Sequence, residues 1–277
     1  MKEKHTPKIS VITVNLNNLQ GLKKTVQSVV KQTYNDYEYI IIDGGSKDGS
    51  KEYIENISQV DYWVSEPDRG IYNAMNKAIV VAQGEYCIFM NSGDIFCDDN
   101  VLKVVVPRLN GKDFYIGEPI YVNGEKQWRE KQPNMMSVPF LLIGAPNHQS
   151  TFTKTKLLKE RFYNEKHKIV SDWEFFFKEW LLHNKSYEWL NILIAYYDLT
   201  GFSNTNKELA IQERQEVINE LIHPNYYRKL ENKFDPTTNI GKFEEKLNKS
   251  LNLSPFKRDL KIIRNAFKLL IRDILSH

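Results

Sequence analysis

Ser65-Glu66-Pro67-Asp68-Arg69-Gly70-Ile71-Tyr72-Asn73-Ala74-Met75-Asn76-Lys77 opens the informative stretch of this chain, and Phe89-Met90-Asn91-Ser92-Gly93-Asp94 closes it. The opening reads as a charged loop feeding a helix, Gly70 to Ala82, with Gly84 as punctuation. The close reads as a buried strand, Tyr86 to Met90, that delivers a carboxylate into a loop. Upstream the same alternation repeats. Ile9 to Val14 is a short apolar run, hence a strand, and Leu22, Val26, Val29 and Val30 have helical spacing. Tyr37 to Ile42 is a strand running into Asp43-Gly44-Gly45-Ser46, which is turn chemistry. Lys51 to Ile57 is a short helix, Val60 to Val64 a strand, and Asp98 to Val106 a helix stopped before Pro107. Strands alternating with helices predict an α/β fold around a mostly parallel sheet.

From about residue 110 the order loosens. Phe114 to Val122 reads as one or two strands, and Pro133 to Pro146 as an irregular stretch. Ser171-Asp172-Trp173-Glu174 fits a capping box opening a helix through Leu182. Tyr187 to Tyr197 is strand-like, and Thr200 to Asn206 is a turn-rich linker and a candidate mobile lid. Residues after 206 read as helices with charged faces. No internal repeat or low-complexity segment is found.

Composition narrows the class. The hydrophobic fraction of 41% is enough for a sizeable core. A net charge of only +3 argues against general nucleic-acid binding. Cys87 and Cys97 make no disulfide framework; Cys87 reads as a small core residue, whereas Cys97, after the carboxylate loop, is either inert or a reactive thiol. The charged N-terminal residues are followed by no apolar stretch, so no ordinary signal peptide is expected. No apolar run approaches the ~20 residues that span a bilayer. Glycine-rich phosphate cradles are absent, which weakens a dehydrogenase, kinase or nucleotidyltransferase reading.

Polar residues collect at three predicted strand ends: Asn15 and Asn17, Asp43, and Asn91 to Asp94. In an open parallel sheet these ends form the ligand crevice. In order and spacing, Asp43-Gly44, Asp68-Arg69-Gly70-Ile71-Tyr72 and Asn91 to Asp94 resemble a family 2 glycosyltransferase. The resemblance covers roughly residues 8 to 203 and is strongest over 8 to 94. It implies a GT-A (Rossmann-like) fold, a nucleotide-sugar donor with UDP expected, a divalent cation (Mn or Mg) and inversion at the anomeric carbon. It looks most like bacterial enzymes of surface-polysaccharide assembly, with a glycan or lipid-linked acceptor. The implied domains are 1–206, with a donor half 1–110 and an acceptor half 111–206, and a helical extension 207–277.

Within that resemblance each site residue has an expected place. Asp94 matches the metal carboxylate of the family's DxD region, but Ser92 stands where its first Asp would be, with Gly93 between. Asn91 and Ser92 are expected near the donor ribose or phosphate. The missing carboxylate leaves open an alternative, a non-catalytic sugar-nucleotide or glycan-binding protein. Asp43 is expected to accept a uracil N–H, and Gly44 stands where the family usually has a second Asp. Thr13, Asn15 and Asn17 match the strand end lining the nucleoside pocket; local loop bonding is the other reading. Asp48 reads as a turn residue and Asp68 as a cap for the helix near Gly70. Arg69 is a candidate phosphate or nucleobase contact, and Asn76 is expected beside the donor.

Asp172 is expected to be the base that takes the acceptor proton, with Glu174 as runner-up, and burial is expected to raise its proton affinity. His148 and Gln149, with Trp173 and Glu174, are expected on the acceptor side; His148 is alternatively structural. In the tail, Phe256, Leu260, Ile263, Phe267, Leu270 and Ile274 share one helical face opposite Lys257, Lys261, Arg264, Lys268 and Arg272. That pattern fits an interfacial helix on anionic lipid, or a docking helix. The chain is expected to be cytoplasmic, with peripheral contact at the inner face of the membrane through 256–277.

Overall fold

The structure, a computed structural model, describes residues 6–129, 136, 140–141, 144, 146–199, 201 and 206–221. The lid at 200–206 (but for Gly201 and Asn206) and the amphipathic tail at 256–277 lie outside these. So does most of the irregular 133–146 stretch.

Apolar runs that are buried on both faces dictate the first half. β1 (Ile9–Asn15) is buried at every position and β2 (Tyr37–Asp43) at all but the first. Strands of that kind belong inside a parallel sheet covered by helices. β1 pairs in parallel with β2 and with β4 (Tyr86–Phe89), and β2 with β3 (Tyr62–Ser65). Helices α1 (Leu19–Val30), α2 (Ser50–Glu55) and α3 (Ile71–Val81) make the crossovers. Leu22, Val26, Val29, Ile41, Ile88 and Tyr115 belong to one core cluster on this sheet.

The second half extends the sheet. Its further strands are β5 (Ile95–Phe96), β6 (Phe114–Asn123), β7 (Lys126–Arg129), β8 (Thr151–Lys154) and β9 (Tyr187–Asp198). Strand order is β3-β2-β1-β4-β8-β6-β9-β5, with β7 hairpinned onto β6. The helices are α4 (Val101–Val105), α5 (Thr155–Arg161), α6 (Ser171–Leu181) and α7 (Lys207–Leu221). Sequence periodicity does not single out β5, β8 or α5, which are too short to show a period. Phe114–Asn123 is one strand, with a register irregularity around Glu118. The α4 helix stops at Val105, before Pro107 as expected, and Pro107 belongs to the turn that follows. It sits in the first turn of a 3-10 helix, Val106–Arg108, where a missing N–H costs nothing. The described residues as far as Val217 form one compact unit, and no described helix is long and apolar enough to cross a membrane.

Parallel register sets up the site. It places Asn15 opposite Asp43, and Asp43 opposite Ser65, along one edge of the sheet. Gly84 fixes the start of β4 against β1: a Cβ there would stand 2.5 Å from Ser10 N and 2.6 Å from the Ile9 carbonyl carbon. Both are backbone atoms and cannot step aside. Gly84→Ala is therefore expected to destabilise the fold by about 1–3 kcal/mol, read as a lower urea midpoint with unchanged slope.

Candidate active site

Asp43 is wholly buried, and its own chain satisfies it. Oδ1 accepts from Asn15 Nδ2 (2.7 Å) and Ser46 Oγ (2.6 Å); Oδ2 accepts from Ser46 N (2.9 Å) and Ser65 Oγ (2.6 Å). Burial pushes its carboxyl up, but these four donors outweigh it and leave the group below the usual range. The expected bond from a uracil N–H to Asp43 would need one of these donors to give way, because the four take its favourable directions. Asp43 organises the ends of β1, β2 and β3.

Asn15 carries that knot onward. Its Oδ1 accepts from Ser92 Oγ at 2.5 Å, so the loop after β2 is wired to the loop after β4. Asn17, at φ +50, accepts from Lys47 N at 2.8 Å and donates its own N–H to Ser46 Oγ at 2.7 Å. Thr13 faces the core instead of the crevice, bonded to the Tyr39 hydroxyl at 2.9 Å. At Gly44 a Cβ would lie 2.4 Å from Asp68 Oδ2. Asp68 thus fills the space a side chain at 44 would need, while its Oδ1 accepts from Gly70 N at 2.8 Å. Asp48 is a turn residue as expected, with Oδ1 accepting from Ser50 N and Oδ2 from Leu19 N.

Asp94 stands in the other loop and is only 4% exposed. Thr25 of α1 pins this loop, donating to Asp94 O at 2.7 Å and accepting from Gly93 N at 3.0 Å. Asn18 Nδ2 donates to Ser92 O. The left-handed φ of +111 at Gly93 explains the glycine between Ser92 and Asp94. Burial raises the Asp94 carboxyl to about 6, against partial offsets from His148, the Asp198 N–H and the Gln149 side chain. The Asp198 carboxylate adds to the rise. Asp198 comes from the end of β9 and was not anticipated from the sequence. Its N–H reaches Asp94 Oδ1 at 3.3 Å, and its Oδ2 lies 3.8 Å from where a Gly93 Cβ would be. A carboxylate closing an aromatic strand was the available signal, the same one that marked Asp43.

This neighbourhood suits a hard cation. Gln149 is 2% exposed and hydrogen-bonded to Asp94, yet its Oε1 has no partner. Two carboxylates and an orphaned carbonyl oxygen form an all-oxygen donor set of the kind that holds Mg or Mn beside substrate phosphates. Among the described residues, no three His, Cys, Asp or Glu side chains converge to hold a metal by themselves. A cation here would need phosphate or water to complete its shell.

Asp172 lies in the first turn of α6. His148 Nδ1 is 2.6 Å from its Oδ2, and the Tyr72 hydroxyl is 2.8 Å from its Oδ1 and 2.6 Å from Ile169 O. The other imidazole nitrogen, Nε2, is 3.0 Å from Asn91 Nδ2. A carboxylate only accepts, so Nδ1 is the atom that donates to Asp172. Phe89 packs edge-on to the ring. His148 therefore joins Asp172 to the loop that carries Asp94. Burial pushes the Asp172 carboxyl up, but the His148 bond and charge, Tyr72 and the Trp173 N–H hold it below the usual range. This reverses the expected rise. The side chain keeps 20% exposure, so it is reachable.

Other predicted residues have partners within the chain. Arg69 is bound to Glu165 at 2.6 Å, with a side chain 76% exposed. Asn76 clasps the segment before α6, donating to Tyr163 O and accepting from Tyr163 N, both at 2.9 Å. Trp173 is buried and donates to Leu141 O. Glu174 is buried against His167 (2.6 Å), Lys178 (2.8 Å) and Asn164. Both side chains are buried with partners inside the fold. The capping box does not form: Val170 occupies the N-cap, and Ser171 Oγ has no partner.

An α/β fold with buried carboxylates gathered where its parallel strands end is what the described residues define. The sequence pattern of Glycosyl transferase family 2 matches residues 10–181. An uncharacterised glycosyltransferase of Mycobacterium tuberculosis is 32% identical over 215 residues, covering 74% of this chain and 80% of that protein. S. aureus TarS 1–349 in complex with UDP superposes with a TM-score of 0.57 at 18% identity, covering 87% of this chain and 78% of that one. A mannosyltransferase from Pyrobaculum calidifontis in complex with GDP-Man and Mn2+ gives 0.58 at 13%, covering 96% and 81%. The chain belongs to glycosyltransferase family 2, and its fold is GT-A.

The raised Asp94 carboxyl has a thermodynamic consequence. The native state takes up its proton near pH 6, whereas the unfolded chain does so only near 4. Stability therefore falls as pH rises through that window, by roughly 3 kcal/mol at most. With chelator present, urea midpoints measured from pH 4 to pH 8 are expected to flatten in Asp94→Asn.

Proposed function

We propose that this glycosyltransferase inverts configuration, moving one sugar from a UDP-sugar to a glycan or lipid-linked acceptor of surface-polysaccharide assembly. The observation that carries the reading is the contact series Asn91–His148–Asp172, which puts the candidate base beside the candidate diphosphate loop. The acceptor oxygen would form its bond to the anomeric carbon as the bond to the diphosphate oxygen breaks. Asp172 would receive the hydroxyl proton. An anionic carboxylate held in place by His148 and Tyr72 meets both requirements, charge and aim. Asp94 and Asp198, with Gln149 Oε1 nearby, would hold a divalent cation. When bound, the cation neutralises the departing nucleoside diphosphate. Bound UDP in TarS and GDP-Man with Mn2+ in the mannosyltransferase support a nucleotide-sugar and a divalent metal.

A non-catalytic binding protein was suggested by the missing Asp at Ser92. Asp198 weakens that motive, because its Oδ2 lies beside the same loop, 3.8 Å from where a Gly93 Cβ would be.

Asp172→Asn is expected to lower transfer at least 100-fold, in line with loss of general-base catalysis. UDP binding by calorimetry should be retained. Near-native turnover removes Asp172 from the role, and UDP binding without turnover in the native protein across acceptors favours the binding-protein reading. Asp198→Asn is expected to weaken Mn affinity at least tenfold in an EPR titration with UDP, and an unchanged affinity removes Asp198 as a ligand. A thermal-shift panel of nucleoside diphosphates with Mn identifies the donor base.

A further inference from the structure

Helix α7 lies beyond the family-matched span of 10–181, yet its side chains reach the start of α6. The N–H groups at a helix start have no acceptor within the helix and need one from outside. Here the N-cap residue, Val170, has no side chain that can accept, and the Trp173 N–H is taken by Asp172 itself. Glu213 of α7, more than 40 residues further along the chain, takes the N–H groups that lead into the helix and end at that N-cap. Its Oε1 accepts from Lys168 N at 2.6 Å, and its Oε2 accepts from Ile169 N at 2.9 Å and Val170 N at 3.2 Å. The carboxylate is 5% exposed, so these bonds are shielded from water. The same short segment supplies the Ile169 carbonyl, which shares the single Tyr72 hydroxyl proton with Asp172 Oδ1.

The next residue adds charge. The Arg214 guanidinium sits 4.9 Å from the centre of the Trp173 ring, one residue from Asp172. Its charge is felt by Asp172 and Tyr72, and it hydrogen-bonds to no described residue. The groups facing Asp172 are thus His148 from a second 3-10 helix (His148–Ser150), Tyr72 from α3, Tyr163 from the segment before α6, and Arg214 from α7. Arg214 stands close without bonding the carboxylate, so it favours the anion without covering it. Lys166 to Glu216 at 3.3 Å docks the same helix a second time.

We propose that α7 is a positioning element for Asp172: Glu213 fixes the backbone from which the carboxylate projects, and Arg214, seated over the Trp173 ring, sets a positive charge beside it. The proposal rests on the reading of Asp172 as the base. It makes competence for transfer depend on residues outside the family's common core.

The test uses the full chain and reads protonation directly, by the 13C shift of the Asp172 carboxyl across the acid range. Arg214→Met removes a nearby positive charge, so the Asp172 midpoint is expected to rise by roughly one pH unit, and Arg214→Lys should recover most of the shift. Glu213→Gln keeps the shape but replaces one accepting oxygen with a donor. Amide exchange at residues 168–170 should then quicken at least tenfold, with UDP binding unchanged and turnover lost through kcat. An Asp172 midpoint unmoved by Arg214→Met, or protection at 168–170 unmoved by Glu213→Gln, overturns the proposal. A moved midpoint in a protein that transfers no sugar sustains the positioning and overturns only the transfer reading.

Discussion

Burying a carboxylate costs far more than one hydrogen bond returns, so each buried acid must find several donors, a cation or a proton. This glycosyltransferase places three acids at one edge of its sheet and gives each a different supply. Asp43 has donors on both oxygens and becomes a structural knot. Asp172 has His148, Tyr72 and a backbone N–H, enough to stay ionised while remaining partly exposed. Asp94 has a long contact from Asp198 N and a bond from the Gln149 side chain, which do not offset its burial, and the Asp198 carboxylate opposes it. It is the acid left most in need of positive charge, and it stands where the phosphates of a donor would arrive in the reading advanced above.

These supplies are connected. The bond from Ser92 to Asn15 links the Asp94 loop to the Asp43 knot, and that from Asn91 to His148 links it to Asp172. Groups on either side of the crevice are thereby held in one frame built on strands and helix starts. Separating acids by environment is a general way to give identical carboxyl groups different work.

Much of the first half was legible in the sequence. Continuous apolar runs such as Ile9 to Val14 and Tyr37 to Ile42 can only be buried strands, and the turn chemistry after them marks the crevice. The second half was less so. β5 has two residues and β8 four, too few for any period to register. The Ser-x-x-Glu pattern at Ser171 was misleading because His167, Asn164 and Lys178 compete for Glu174 and win it. Arg69 and Asn76 matched a donor-side segment, but Glu165 and Tyr163 claim their polar groups.

The residue types themselves fixed which chemistry was available: acids at strand ends, a histidine beside amides, and a helix whose first turn carries Asp172. Local patterning decides that much, because propensity and periodicity act over a few residues. Which acid is charged, which is saturated and which is short of donors was decided only by the tertiary fold. Proton affinity depends on burial and on neighbours such as Asp198 and His148, which lie 104 and 24 positions away from the acids they touch. No local window of sequence contains both members of either pair.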